Sequence, residues 1–339
     1  MKILLIGGTR FIGPPVVRRL FDAGHQVALF HRGESEAELP QAVEHIHGER
    51  AELSSFETEF RRFAPDVVLD MIPFTEQEAA SLMSVFKGIA RRVVAISSAD
   101  VYRCVERLRR VTSGPPDPIP LAEDAPLREH LYPYRETAKS PAERNYNYEK
   151  ILVERVVMSD AELPATILRL PAVYGPGDTQ HRLFFYLKRM DDGRPAILLE
   201  EGTDSWRWTR GYVENIADAI ALAVVSERAA GRIYNAGEED ALSESDWVRS
   251  IARAAGWKGE IIVVPGERLP ERMRANMALE HHWVTDTRRL RRELGYAERV
   301  ARAEALAQTV AWERAHPPDE IKPEEFDYAT EDEIIKGHH

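Results

Sequence analysis

A single cysteine, Cys104, is all the thiol chemistry that this 339-residue chain holds. No disulfide can close within it, and a reducing compartment suits it. A cysteine standing alone reads as a bystander rather than a nucleophile. No apolar run is long enough to span a membrane. Met1-Lys2 leads straight into an apolar strand, so no secretory leader is expected, and the expected location is cytoplasmic. Basic charge is also short: 45 Lys and Arg stand against 56 Asp and Glu, a net charge of -11. That deficit opposes generic binding to nucleic acid, whose phosphates need a basic footprint. Internal repeats are absent. What is present is ordinary globular material, 44% hydrophobic and 30% charged, in a chain long enough for a large core and two lobes.

The stretch Met1-Lys-Ile-Leu-Leu-Ile-Gly-Gly-Thr-Arg-Phe-Ile-Gly13 has the form of a strand, a glycine turn and the start of a helix. That geometry presents backbone N–H groups to a phosphate. Gly7 and Gly13 fit the spacing of a dinucleotide fingerprint, but its middle position is Arg10. Thr9, Phe11 and Ile12 complete the candidate phosphate loop. The acidic residue that would bond the adenosine ribose after the second strand (Gln26 to Phe30) is missing as well. His31-Arg32-Gly33 stands there instead. Basic groups at that point accommodate a 2′-phosphate, so NADP is favoured over NAD, with Arg10 as a second guanidinium for the same phosphate. Arg32 as a plain solvated residue is the competing reading.

Strands and helices alternate after that. Val43 to His47 reads as a third strand, with His45 and His47 as strand-face residues rather than a metal site, and Glu49 as a candidate acceptor for the adenine amino group. No metal is expected. Ser54 to Phe63 is helical in pattern. Asp66 to Asp70 is a continuous apolar strand of the kind buried in parallel sheets. A helix over Glu76 to Phe86 and a strand over Val93 to Ile96 follow, ending at Ser97-Ser-Ala-Asp-Val-Tyr102. The fold class is therefore α/β, a Rossmann-type doubly wound parallel sheet with its site at the carboxyl ends of the strands, joined to a smaller C-terminal α/β lobe. Residues 103 to 140 are rich in proline and weakly periodic, and read either as a flap beside the site or as a surface insertion.

Tyr146-Asn-Tyr-Glu-Lys150 then opens a helix in this reading, which puts Tyr146 and Lys150 on one helical face. A strand over Ala165 to Leu170 leads into the glycine- and proline-rich Pro171-Ala-Val-Tyr-Gly-Pro-Gly-Asp178. A helix over Leu183 to Met190, a strand over Pro195 to Leu199 and the cluster Trp206-Arg-Trp-Thr-Arg210 follow. Later come a helix over Val213 to Val225, a strand at Ile233, a helix over Ser243 to Ala255 capped by Ser243, a strand over Ile261 to Val264, and helices over Thr287 to Leu294 and Ala303 to Glu313. After Pro317 and Pro318 a loose acidic tail is expected. Gly337-His338-His339 reads as the start of an affinity tag. The expected organisation is a dinucleotide-binding domain over 1–175, to which 211–240 returns, a substrate lobe over 176–210 and 241–318, and a tail over 319–339.

Three segments in order, Gly7 to Gly13, Ser97 to Tyr102 and Tyr146-x-x-x-Lys150, resemble the extended short-chain dehydrogenase/reductases of the NAD-dependent epimerase/dehydratase group. Arg169 to Asp178 resembles that family's entry to the substrate lobe, and Asp286 to Gly295 its C-terminal helix signature. The arginine-containing fingerprint is closest to the subgroup that includes chloroplast stem-loop binding proteins. The resemblance implies Tyr146 as acid/base, Lys150 as the group that lowers its pKa and holds the nicotinamide ribose, and Ser98 as hydroxyl donor to the substrate oxygen. It implies Pro171 and Val173 at the cofactor, and Tyr102, Tyr174, Arg207 and Arg210 at the substrate. It also implies a homodimer through the helix carrying Tyr146 and its neighbour.

The expected activity is NAD(P)-dependent hydride transfer on a sugar, nucleotide-linked, by an epimerase or dehydratase. Arg207 and Arg210 flank the position where nucleotide-sugar enzymes hold a diphosphate; a cation–π stack within the lobe is the alternative. Two further readings stand beside this one. An NADP-dependent reductase of a non-sugar carbonyl would suit His31 and Arg32. A non-catalytic RNA-binding protein on the same scaffold would leave Ser98, Tyr146 and Lys150 idle.

Overall fold

Ile3, Leu4, Leu5 and Ile6 have no solvent exposure, as a strand covered on both faces requires. They belong to β1 (Lys2–Ile6) in a computed structural model that describes residues 1–35 and 37–337. The chain continues through α1 (Gly13–Asp22), β2 (Gln26–His31), β3 (Glu44–His47), α2 (Glu57–Phe63), β4 (Val67–Asp70), α3 (Glu76–Phe86), β5 (Arg92–Ser98), α4 (Arg103–Leu108) and α5 (Lys150–Val157). The second half holds β6 (Ala165–Leu170), β7 (Ala172–Tyr174), α6 (Phe184–Asp191), β8 (Ala196–Glu200), β9 (Arg210–Tyr212), α7 (Val213–Val225), β10 (Arg232–Asn235) and α8 (Glu244–Ala255). It closes with β11 (Glu260–Val264), α9 (Arg288–Leu294), α10 (Arg302–Ala315) and α11 (Tyr328–Lys336).

Seven strands pair in the order β10-β6-β5-β4-β1-β2-β3, all parallel. From β1 the chain winds out to β3, then crosses back to β4 on the other side of β1. The carboxyl ends of β1 and β4 therefore flank the switch point, where an open α/β sheet leaves a crevice. One face packs against α1 and α7 through Val16, Val17, Leu20, Ile216 and Ile220. The other packs against α2, α3 and α5 through Phe60, Leu82, Phe86, Val153 and Val157. The start of α3 is fixed by a capping box between Thr75 and Glu78. The smaller lobe is a parallel β8–β11 pair with α6, α8 and α11 beside it.

Four expectations fail locally. Residues 50–56 form a 3-10 stretch kinked at Glu52, so the helix read from Ser54 starts only at Glu57. Residues 103–140 are not all loop: α4 carries Cys104 and Val105 into a core shared with Leu121 and Ile151. The helix read from Tyr146 starts at Lys150. Glu149 takes an extended backbone, and its carboxylate accepts the Ile151 N–H at 2.8 Å, capping the helix later than the periodicity suggests. The acidic tail is not loose either. It folds into α11, whose buried Glu331 pairs with buried Arg189 at 2.7 Å while Ile334 and Ile335 pack on the smaller lobe. His338 and His339 lie outside the described residues.

Candidate active site

A cleft of about 930 Å³ opens at the switch point. Gly7 and Gly8 turn there with φ of +85° and +98°, which side chains seldom tolerate. Gly13 begins α1 so close to the turn that a Cβ on it would lie 2.3 Å from the Gly8 carbonyl. The fingerprint glycines are thus demanded by backbone packing. Gly7, Thr9, Arg10, Phe11 and Ile12 line the cleft, and so do His31, Arg32 and Glu49. Phe11 itself is held at φ +44°, an uncommon conformation for a bulky residue.

Pro14 and Pro15 occupy the first turn of α1. They lack N–H groups, and the Gly13 N–H is already given to the Arg10 carbonyl at 2.9 Å. This helix therefore offers a phosphate fewer backbone donors than the sequence motif suggests. Guanidinium groups stand in the same cleft: Arg10, Arg32, Arg50 and Arg144. Arg50 forks onto the buried Asp70 at 3.0 and 2.5 Å, and burial of Asp70 outweighs that cation and pushes its pKa up. Arg32 pairs with Glu34 at 2.7 Å. Arg144 stacks on Phe74, 3.8 Å from the ring centroid. Burial, with the like charges of Arg50 and Arg32, pulls the Arg144 pKa down. Cations crowded together in this way are relieved by a bound anion. The residues present thus fit a dinucleotide, held by side-chain cations more than by the helix end.

Chemistry-bearing side chains meet at the carboxyl end of β5. Lys150 is buried, and its ammonium donates to the carbonyls of Pro73 at 2.6 Å and Ile96 at 2.8 Å. Burial lowers its pKa to about 8 against the pull of Asp70 and Asp100. Ser98 ends β5 and its Oγ accepts the Asp100 N–H at 3.1 Å. Two residues on, Asp100 is 2% exposed, and its Oδ1 lacks a partner. Tyr134 donates to its Oδ2 at 3.1 Å. Tyr148 is buried beside Ser98 and Asp100 and packs edge-on to Tyr134 with centroids 5.1 Å apart. Burial, then the Asp100 carboxylate, pushes the Tyr148 phenol well up.

Tyr146 does not join this cluster as expected. It lies in the turn before α5, with its carbonyl accepting from Arg135 and its ring under that guanidinium. Tyr146 and Lys150 consequently share no helical face. Tyr148 holds the position beside Ser98, and the extended backbone of Glu149 puts it there. Glu149 has no exposure and forks onto the buried Arg128 at 3.0 and 3.2 Å. Arg128 also donates to the Asp100 carbonyl at 2.6 Å. Residues 128–132 are thereby wired to both the helix cap and the Ser98–Asp100 turn.

Of the residues expected at the substrate, Tyr102 is committed elsewhere, while Tyr174 and Arg210 line a small aromatic pocket with their polar groups already paired. Tyr102 is fully buried, with its hydroxyl donating to Asn235 and accepting from Arg169. It belongs to a polar network in which Arg169 forks onto Glu154 and Ser97 donates to the same carboxylate. A substrate cannot reach it. Tyr174 donates to Glu238 at 2.8 Å. Arg210 is buried, paired with Glu244 at 2.5 Å and stacked on Trp247 and Trp208. That is the cation–π stack rather than a free phosphate grip. Arg207 alone of these four is exposed. Pro171 and Val173 pack at the β7–β9 pair: Val173 registers with Gly211, and a Cβ on Gly211 would lie 3.2 Å from the Pro171 ring. Trp206, Trp208, Trp247, Tyr174 and Tyr186 wall a small aromatic pocket of about 210 Å³.

Sequence reasoning missed Asp100, Tyr148, Arg144 and the two prolines. Asp100 lay inside a segment already singled out, and a carboxylate two residues past the candidate serine was the available signal. Tyr148 had no comparable signal, because the late start of α5 depends on Arg128, which is distant in the chain.

The profile of the NAD dependent epimerase/dehydratase family matches residues 3–237. The chain belongs to that family. It is therefore an NAD(P)-dependent enzyme of the epimerase/dehydratase type. It is 26% identical over 280 residues to the 2′-dehydrokanamycin reductase of Streptomyces kanamyceticus, covering 80% of this chain and 72% of that one. It is 25% identical over 276 residues to the chloroplast stem-loop binding protein of 41 kDa b of Arabidopsis thaliana, covering 77% of this chain and 65% of that protein, just under two thirds of its length. Among solved structures, the UDP-glucose 4-epimerase of Thermus thermophilus in complex with NAD superposes with a TM-score of 0.65 at 22% identity, covering 93% of this chain and all of that one. The last likeness establishes a shared fold.

Proposed function

We propose that the protein transfers hydride at a hydroxyl-bearing or carbonyl carbon of a sugar, with Tyr148 in the acid/base role first read onto Tyr146. The observation that carries this reading is the meeting of Ser98, Asp100 and Tyr148 above the buried Lys150. A nicotinamide dinucleotide, when bound, supplies or accepts the hydride. The protein's own part is the proton. A phenol with a raised pKa stays protonated near neutrality and acts as a general acid toward a developing alkoxide. Ser98 and the Asp100 carboxylate flank the Tyr148 hydroxyl and would orient it toward the substrate oxygen. Lys150 would hold the nicotinamide ribose, and its two carbonyl bonds fix where its charge sits.

The aromatic pocket supports a sugar ring, whose C–H faces pack well on indole and phenol. A nucleotide-linked sugar is the favoured class, as in the UDP-glucose 4-epimerase that shares the fold, with Arg207 left to meet the diphosphate. NADP is the cofactor favoured by the four arginines, by His31 and by the missing acid after β2. The same features favour a second reading, an NADP-dependent reductase of a ketone, as the name of the kanamycin relative suggests.

Denaturing the purified protein and identifying the released dinucleotide separates the two: retained oxidised cofactor means internal recycling of hydride, whereas an empty protein that consumes NADPH is a reductase. On whichever substrate a nucleotide-sugar thermal-shift screen or ketone assay reveals, Tyr148→Phe should lower kcat by at least about a hundredfold and leave cofactor affinity unchanged, while Tyr146→Phe stays near wild type. The reverse pattern would restore the helix-face reading.

A further inference from the structure

We propose that His31, His45 and His47 form a binding site for a divalent transition metal of the zinc class at the outer edge of the sheet. The site stands on these side chains alone and not on the reaction proposed above. His45 and His47 are two apart on β3 and so point to the same face of the sheet. His31 closes β2 directly opposite His47 in the parallel register. One ring nitrogen from each histidine lies within 4.8 Å of the others, and His31 Nε2 is 2.7 Å from His45 Nδ1. A zinc ion bonds imidazole nitrogens at about 2.0–2.1 Å, which sets nitrogens on one tetrahedral ion about 3.3 Å apart. Small changes of side-chain torsion therefore bring the three onto one ion, with no movement of the strands.

The hydrogen-bond geometry suits ligation. His31 and His45 already face each other through ring nitrogens at 2.7 Å, and an imidazole nitrogen that carries no hydrogen has a lone pair to give. In the metal-free form the Gly33 N–H donates to His31 Nδ1, so the His31 hydrogen sits on Nε2 and points at His45. Ligation through Nε2 moves that hydrogen to Nδ1 and releases the Gly33 contact. Two hydrogen bonds are lost, the Gly33 contact and the one from His31 to His45, and three metal–nitrogen bonds are gained. The nearest charges are balanced: Arg32 is paired with Glu34, and Glu44 with Arg62. Three protein ligands leave a coordination position open, and His31 also lines the cleft.

The test uses the full chain with His338 and His339 both replaced by alanine, so that terminal histidines contribute nothing. Titration with zinc, followed calorimetrically, should show one ion per chain, and cobalt in its place should give the visible absorption of a tetrahedral or five-coordinate centre. His45→Ala and His47→Ala are exposed changes that leave the core intact; each should weaken binding at least about tenfold. His45→Gln is a second, isosteric check with the same expected loss. Absence of stoichiometric binding overturns the proposal. So does binding that survives both alanine variants, or that disappears with the terminal histidines alone.

Discussion

At the residue scale, the side chain that does most is Lys150. Its charge sits in the interior, bonded to two backbone carbonyls, with a pKa lowered to about 8 by burial. The linkage sign follows from that depression. Below about 8 both folded and unfolded chains hold the proton, and the native state bears the full cost of burying it. Between about 8 and the ordinary lysine value of about 10.4, the unfolded chain still binds a proton that the native chain has released. Native stability due to this group therefore rises with pH through that window. Replacing Lys150 with methionine removes the effect and adds a constant offset from the two carbonyls left unbonded. The difference in unfolding free energy between wild type and Lys150→Met should drift toward wild type from about pH 8 upward. Parallel profiles over that range would show that the buried amine does not titrate as described. Lys150 stood out in the sequence through the Tyr146-x-x-x-Lys150 spacing and the resemblance it carries; its burial against two carbonyls did not. The sequence did not show that Tyr148 rather than Tyr146 would stand beside Ser98, because that placement is made by the extended backbone of Glu149, which no local rule dictates.

At the element scale, the start of α5 is the decisive joint. Glu149 caps the helix, accepts the Tyr132 N–H at 2.6 Å, and pairs with Arg128, whose side chain is 1% exposed. Removing the carboxylate with Glu149→Ala strands a buried guanidinium, a class of change that costs about 3–5 kcal/mol. It should also free residues 128–132 from the helix, and with them the orientation of Tyr148. Urea unfolding gives the first quantity. Limited proteolysis between Arg128 and Arg144 gives the second, with faster cleavage expected in the variant. A stability loss below about 1 kcal/mol, the worth of an exposed pair, would show that this bridge is not the joint described. Individual strands were easier to anticipate. The apolar runs of β1, β4 and β5 fall where the sequence puts them, because burial on both faces admits little else. The proline-rich stretch before α5 hid α4, whose single turn and a half is too short to show a period.

At the scale of the whole molecule, the alternation of strand and helix announced a doubly wound parallel sheet with its site at the carboxyl ends, and the observed strand order puts the cleft between β1 and β4. The smaller lobe was less legible. Its β8–β11 pair joins segments far apart in the chain, and the charged C-terminal segment gave no hint that Glu331 would be buried against Arg189. Charge composition alone argues for a solvated tail; a single buried partner overrides it.

The stack of Trp208 on Trp283 joins distant parts of the chain in another way. The two indoles lie 5.3 Å apart and 18° from parallel, and the Trp283 N–H donates to the Ala99 carbonyl between Ser98 and Asp100. Two chromophores this close share their electronic excitation, so the protein carries its own optical gauge of the aromatic pocket. Circular dichroism in the indole bands should show a coupled pair of opposite sign that Trp283→Phe abolishes, and a ligand entering beside Trp208 should alter it without any added label. Superimposable spectra for wild type and Trp283→Phe would mean that the rings are not coupled in solution.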